Sequence, residues 1–220
     1  MVTRGGPALA KLTRPKLYDA VPRPRLFSLL DEAGKRPIVW VCAPPGAGKT
    51  TLVASFLEAR GLRHIWYQVD IADSDPATFV HYMRMAALQL VGKKASVLKH
   101  FNPEPEQDIA RFARTYFREF FNVLPRPTVI VLDSFQDART TPELRGAFAH
   151  ALEEVPDGIT VIAISRSDPP HEFARLGASR RVARIEPSAL ACTPEEAEAM
   201  LAGQELDEQA VARITRHSNG

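Results

Sequence analysis

Short unbroken apolar runs alternate along this chain with longer stretches of helical periodicity. The first run is Pro37-Ile38-Val39-Trp40-Val41-Cys42-Ala43, and three more follow at His64–Val69, Thr128–Leu132 and Ile159–Ile164. A weaker fifth run occupies Arg181–Ile185. Runs of this length without polar alternation suit strands buried on both faces of a parallel sheet, whose crossover helices cover both sides. Between the runs, apolar residues recur at intervals of three and four. The clearest case is Ile109, Phe112, Ala113, Tyr116, Phe117, Phe120 and Phe121, with Arg111, Arg114, Arg118 and Glu119 at the polar positions and Pro125 as a stop. Such an aromatic stripe could stack nucleic-acid bases, but helical spacing between flanking strands favours packing against the sheet. Other helices are predicted near Arg25–Ala33, Thr50–Ala59, Pro76–Val91, Pro142–Glu154 and Glu195–Leu201. Strands alternating with helices of this length predict an α/β fold, a parallel sheet of about five strands flanked by helices.

The first strand runs into Ala43-Pro44-Pro45-Gly46-Ala47-Gly48-Lys49-Thr50-Thr51, and helical spacing resumes with Leu52, Val53, Phe56 and Leu57. This order of parts is that of a phosphate-binding loop. Gly46 and Gly48 let the backbone turn its N–H groups inward, and the following helix adds the positive end of its dipole. Lys49 can reach β- and γ-phosphates, and the Thr50 hydroxyl can ligate magnesium. Pro45, Ala47 and Thr51 complete the expected binding segment. The usual pattern opens on glycine where this chain has Ala43, which leaves Gly-Lys-Thr intact. A strand before and a helix after are the context that separates a P-loop from a chance Gly-rich turn.

A P-loop protein also needs a carboxylate at the end of a neighbouring strand to organise magnesium, and Thr128–Leu132 ends abruptly in Asp133. The next strand leads to Ser165-Arg166-Ser167-Asp168-Pro169-Pro170. On spacing alone, Arg166 reads equally as a group projecting toward the γ-phosphate and as a solvated cap.

Composition narrows the picture without redirecting it. Apolar residues at 45% and charged residues at 25% are an ordinary globular balance, and a net charge of +2 does not by itself point to nucleic acid or acidic membrane. Cys42 and Cys192 lie in or beside apolar runs and read as small buried hydrophobes of a reducing compartment. No apolar stretch approaches the roughly 18 residues of a membrane span, so a cytoplasmic protein with no membrane partner is expected.

Together these pieces resemble the ATPase domain of the MalT-like, LuxR-type large transcriptional regulators, members of the STAND class of P-loop NTPases with an AAA-like core. The resemblance begins at Lys11-Leu12-Thr13-Arg14-Pro15 and Val21-Pro22-Arg23 and continues through Ala43–Thr51. Trp66-Tyr67-Gln68-Val69-Asp70 follows, with Asp75-Pro76 and Phe79, then Val131-Leu132-Asp133. Ser165-Arg166 with Asp168-Pro169-Pro170, and Leu190 with Thr193-Pro194-Glu195-Glu196-Ala197, complete it. The resemblance implies ATP or ADP with magnesium as cofactors and Lys49, Asp133 and Arg166 as the catalytic set, Arg166 being the sensor of the γ-phosphate. It implies Thr50 and Asp133 at the metal, and Val21, Pro22 and Arg23 over the base. It also implies a switch: ADP holds a closed monomer, and ATP with a small-molecule or protein inducer opens it for self-association and transcription control.

One departure bears on turnover. Related sequences often carry a second acid after the magnesium aspartate, whereas Ser134-Phe135-Gln136-Asp137 follows here. No glutamate stands where a vigorous ATPase places its water-activating base, and Gln136 and Asp137 lack the expected spacing. Binding with slow hydrolysis is therefore expected.

Two other readings remain. A P-loop small-molecule kinase would use lid arginines, with Arg175, Arg180, Arg181 and Arg184 as a possible source; an AAA-like motor would turn over steadily on assembly. Residues 1–10 are expected to be a flexible tail, 11–190 the ATPase core, and 191–220 the start of a helical lid subdomain. Ala210, Val211 and Ile214 recur at near-helical spacing close to the end, so the chain is expected to be a piece of a larger regulator. DNA would be bound only by a module absent from these residues.

Overall fold

A computed structural model describes residues 9–18, 20–100, 108–138 and 142–201. Within them, five strands and eight helices alternate in chain order. They are α1 (Pro24–Ala33), β1 (Ile38–Cys42), α2 (Lys49–Ala59), β2 (His64–Gln68), α3 (Pro76–Val91), α4 (Ile109–Val123) and β3 (Thr128–Asp133). Then come α5 (Pro142–Glu153), β4 (Ile159–Ser165), α6 (Ala174–Ala178), β5 (Val182–Ile185), α7 (Pro187–Leu190) and α8 (Pro194–Leu201). All strand pairs are parallel, in the order β2-β3-β4-β1-β5.

The three inner strands explain the unbroken apolar runs. Every residue of β1 and β3, and all of β4 but Thr160, is buried. Ile38, Trp40, Ile130, Leu132 and Val161 face a core filled from α3, α4 and α5, including Phe79, Phe117, Phe120 and Phe148. Val39, Val41, Val131, Ile162 and Ile164 face the opposite core with Leu26, Leu30, Leu52 and Leu57 of α1 and α2. The aromatic stripe of α4 is core, as its spacing predicts: Phe120 is wholly buried. The Asp108 carboxylate caps that helix, accepting from the N–H groups of Ala110 and Arg111.

The sheet's β2 edge is met by a 3-10 turn, Ala10–Leu12, whose first residue belongs to the segment expected as a tail. The Lys11 ammonium lies 2.8 Å from a carboxylate oxygen of fully buried Asp73 and 2.5 Å from Asp70. It also sits over the rings of Tyr67 and Tyr82. The Tyr67 hydroxyl donates to the other Asp73 oxygen at 2.6 Å. An ion pair so deeply buried is held by having its remaining lone pairs satisfied, as the Tyr67 and Asp70 N–H bonds to Asp73 do here.

Of the two cysteines, Cys42 is buried, whereas Cys192 is only half-buried, and both are free thiols. The lid expected over 191–220 is described only through α8; Ala210, Val211 and Ile214 lie outside the described residues. What holds α8 is a hub at Glu196. Its carboxylate accepts from Arg23 at 2.6 Å, from Arg25 and from the Thr193 N–H, and the Glu196 N–H donates back to Thr193 Oγ1. Partial burial pushes the carboxyl up, but the bonds from Arg23 and Arg25 outweigh it and bring its pKa down to about 2, from an ordinary 4.5. A depressed folded-state pKa stabilises the fold fully above the unfolded value and loses that contribution as pH falls through the folded one. Glu196→Gln should therefore lower Tm at neutral pH, with the gap to the parent closing between about 4.5 and 2. Thermal melts across that range check this; a gap that does not change with pH would contradict it.

Candidate functional site

The loop joining β1 to α2 carries Gly-Lys-Thr. Gly46 and Gly48 adopt φ of 81° and 74°, and no atom lies within 4 Å of a Cβ built at either position. The glycines thus serve backbone conformation in an open loop rather than close packing. α2 starts at Lys49 with Gly48 as its N-cap, so the unpaired N–H groups and positive end of the helix stand at the loop.

Lys49, only 9% exposed, folds back along the loop and donates to the carbonyls of Ala43 at 2.6 Å and Pro44 at 2.8 Å. Burial, and next the charge of Arg166, lower its pKa. The Thr50 hydroxyl lies 3.1 and 3.2 Å from the two carboxylate oxygens of Asp133. Asp133 is 3% exposed, and burial raises its pKa against the opposing pull of the Thr50 bond.

The sequence reading expected Asp133 on a strand neighbouring the loop's own, but β4 lies between β3 and β1. The two still meet: Thr50, in the first turn of α2, reaches Asp133 at the end of β3. Pro45, Gly46, Gly48, Lys49, Thr50 and Thr51 line a cleft of about 360 Å³ together with Asp133, Ser134, Gln136, Ile164 and Arg166. Ala47 is turned away: its N–H reaches the Pro44 carbonyl and its side chain packs toward the α1/α2 core.

Thr50 and Asp133 are hard oxygen donors of the kind magnesium selects. Among the described residues no group of three His, Cys, Asp or Glu side chains could hold a metal alone. The pair therefore fits a magnesium whose other ligands are phosphate oxygens and water, the habit of that ion in nucleotide sites.

Val21, Pro22 and Arg23 do not line this cleft. The Arg23 guanidinium is engaged with the carbonyls of Leu190 and Ala191 and with Glu196. The possible lid arginines are dispersed as well. Arg175 pairs with Glu153, Arg181 donates to the Val155 carbonyl, Arg184 pairs with Asp168, and Arg180 offers its carbonyl to Arg36. None of the four lines the cleft. Sequence reasoning set Gln136 aside, yet it lies in the cleft, its Oε1 accepting from the Arg166 N–H at 3.0 Å. Its spacing after Asp133 gave no signal, because left-handed Ser134 (φ 62°) turns the chain there.

A parallel five-stranded sheet flanked by helices, with this loop, helix and carboxylate, defines a P-loop NTPase of the AAA-like kind. The family described as "Nephrocystin 3, N-terminal" matches residues 23–166, and the chain belongs to it. It is also 31% identical over 193 residues to the HTH-type transcriptional regulator MalT of Vibrio campbellii, covering 85% of this chain and 21% of that protein. With the MalT of Cronobacter sakazakii it shares 29% identity over 192 residues, covering 86% of this chain and 21% of that one. The resemblance to MalT-like STAND ATPase domains thus holds, and the chain spans about a fifth (21%) of the length of these curated relatives. Among solved structures, the Aeropyrum pernix ORC1 protein in complex with DNA superposes with a TM-score of 0.51 at 12% identity, covering 91% of this chain and 56% of that one. That likeness concerns the fold.

Proposed function

We propose that this chain is the ATP/ADP-binding switch domain of a signal-responsive transcriptional regulator. The observation that carries the reading is the Thr50 hydroxyl set between the Asp133 oxygens at the foot of a Gly46–Gly48 loop, with Lys49 in the same cleft. Pro45, Gly46 and Gly48 to Thr51 receive the phosphates, Lys49 neutralises them, Thr50 and Asp133 hold magnesium, and Arg166 answers the terminal phosphate. Magnesium held by Thr50 and Asp133 would supply neutralisation of phosphate charge. Residues 11–190 form the core, and the segment from 191 starts a lid that the Arg23–Glu196 hub fastens to it. Val21 to Arg23 reach the base only as part of that joint. The names of the MalT relatives support assigning transcription control to the larger protein, with DNA contacted outside these residues and self-association following ATP and inducer. A cytoplasmic setting accords with that role; among the described residues no helix is long and apolar enough to cross a membrane.

The test is calorimetry with ATP and ADP, together with chromatography of the nucleotide released on denaturing purified protein. Steady-state phosphate release should fall well below a median enzyme's roughly 10 per second, since Ser134 follows Asp133 and the carboxylate of the turn behind it, Asp137, does not line the cleft. Turnover at or above that value would favour a motor. Asp133→Ala should reduce the dependence of ATP affinity on magnesium more than it reduces affinity in the metal's absence, because the lost group serves the metal. An identical magnesium response in both proteins would reduce Asp133 to a structural acid.

A further inference from the structure

We propose that Gln136 is a positioning residue that ties the tip of β3 to the tip of β4 and so sets how the site discriminates nucleoside triphosphate from diphosphate. The proposal rests on the P-loop reading above and deepens it.

Gln136 is placed by strain and packing together. Directly after Asp133 the chain enters a left-handed conformation at Ser134, φ 62° and ψ 43°, which a residue with a side chain adopts at some cost. The turn closes with the Asp137 N–H bonded to the Ser134 carbonyl at 2.9 Å. It is anchored from below by Phe135, whose ring meets Trp40 edge-on at 5.2 Å and Phe173 at 6.0 Å. Trp40 in turn donates its indole N–H to the Ser167 carbonyl at 3.0 Å. The two strand tips therefore share one aromatic base. What this arrangement delivers to the cleft is the Gln136 amide beside Asp133, Thr50 and Lys49.

The amide is two-ended. Its Oε1 accepts from the main-chain N–H of Arg166 across 30 positions of sequence, which fixes where the Arg166 side chain departs. Its nitrogen carries two N–H donors, and among the described residues neither has an acceptor. The Arg166 guanidinium likewise makes no hydrogen bond or ion pair among the described residues. A neutral amide suits both ends: it accepts from a main-chain donor and still offers hydrogens to an anion. A carboxylate in its place would keep the first bond and repel the anion. Gln136 and Arg166 line the same cleft as the phosphate loop, so their donors are open to an additional phosphoryl group, and a diphosphate would make less use of them.

The test uses the whole chain and the variants Gln136→Met, which removes both ends, and Gln136→Glu, which keeps only the acceptor. Hydrogen exchange without nucleotide reads the clamp: the Arg166 amide should be protected in the parent and in Gln136→Glu, and lose about ten-fold protection in Gln136→Met. Calorimetry with magnesium and ATP or ADP reads the discrimination. The ratio of ATP to ADP affinity should fall about ten-fold in Gln136→Met, the loss of one charge-assisted bond, and further in Gln136→Glu. A merely structural role would lower Tm and weaken both nucleotides alike, leaving the ratio at the parent value. That result, or equal Arg166 protection in Gln136→Met, would overturn the proposal while leaving the P-loop reading standing. A parent protein that binds neither nucleotide would overturn both.

Discussion

Lys49→Ala should abolish measurable nucleotide binding while leaving the fold intact. The ammonium shares the phosphate cleft with the Arg166 guanidinium, and among the described residues its hydrogen-bond partners are the Ala43 and Pro44 carbonyls of its own loop. It is therefore free to transfer its hydrogens to phosphate oxygens at little electrostatic cost. Burial and the nearby Arg166 charge lower its pKa, so the site gains from an arriving anion that neutralises both cations. Bonds to charged groups contribute about 1.5–3 kcal/mol each. Losing two such bonds corresponds to roughly a hundred-fold or greater loss of affinity. Of the carbonyls left behind, that of exposed Pro44 can be hydrated while that of buried Ala43 loses its donor, so the thermal transition should fall modestly with the fold retained. Calorimetry on the folded variant checks this, and unchanged ATP affinity would remove the phosphate assignment from this loop.

Trp40→Ala should cost the most stability of any single truncation, about 3–5 kcal/mol. Trp40 lies in the middle of β1, is 1% exposed, and pairs by register with Ala163 on one side and Arg184 on the other. Its ring packs edge-on against Phe135 and Phe173, and its indole N–H satisfies the Ser167 carbonyl. Truncation leaves a cavity, two aromatic rings without their partner and the Ser167 carbonyl without its indole donor. Whole domains are stable by only about 5–15 kcal/mol, so the variant should unfold at markedly lower denaturant. Trp40→Phe should recover most of the packing but not the hydrogen bond, and lie between. A shift below about 1 kcal/mol in the alanine variant would mean that the cluster repacks freely.

The parts of the fold legible in the sequence are those whose burial is uniform. β1, β3 and β4 read plainly because both faces are covered, whereas β5 is weak because three of its four residues are at least partly exposed at the sheet's edge. α4 is legible through its apolar spacing of three and four; Asp75 and Asp108, which cap α3 and α4, are a local signal of the same elements, one that spacing alone left unread. The 3-10 turns at 10–12, 71–74 and 135–137 left no periodic trace. Their conformations depend on partners far away in sequence or on a single left-handed residue. The same holds within the site. The glycines, Lys49, Thr50 and Asp133 were legible as a spaced motif joined to strand ends. Gln136 was not, since its place depends on the Ser134 turn. The bond from Arg23 to Glu196 spans 173 positions, which no local pattern encodes.

The Lys11 turn against β2 has a consequence beyond holding the chain in place. A parallel sheet ends in a row of backbone donors and acceptors that a strand from another molecule can extend. β2 is such a border, and its middle residues are apolar. Bringing a cation to it, locked between two carboxylates and two tyrosine rings, closes the border with a group that a foreign strand must displace at high cost. The knot therefore places a buried, fully partnered charge where edge-to-edge growth of the sheet along β2 would have to begin.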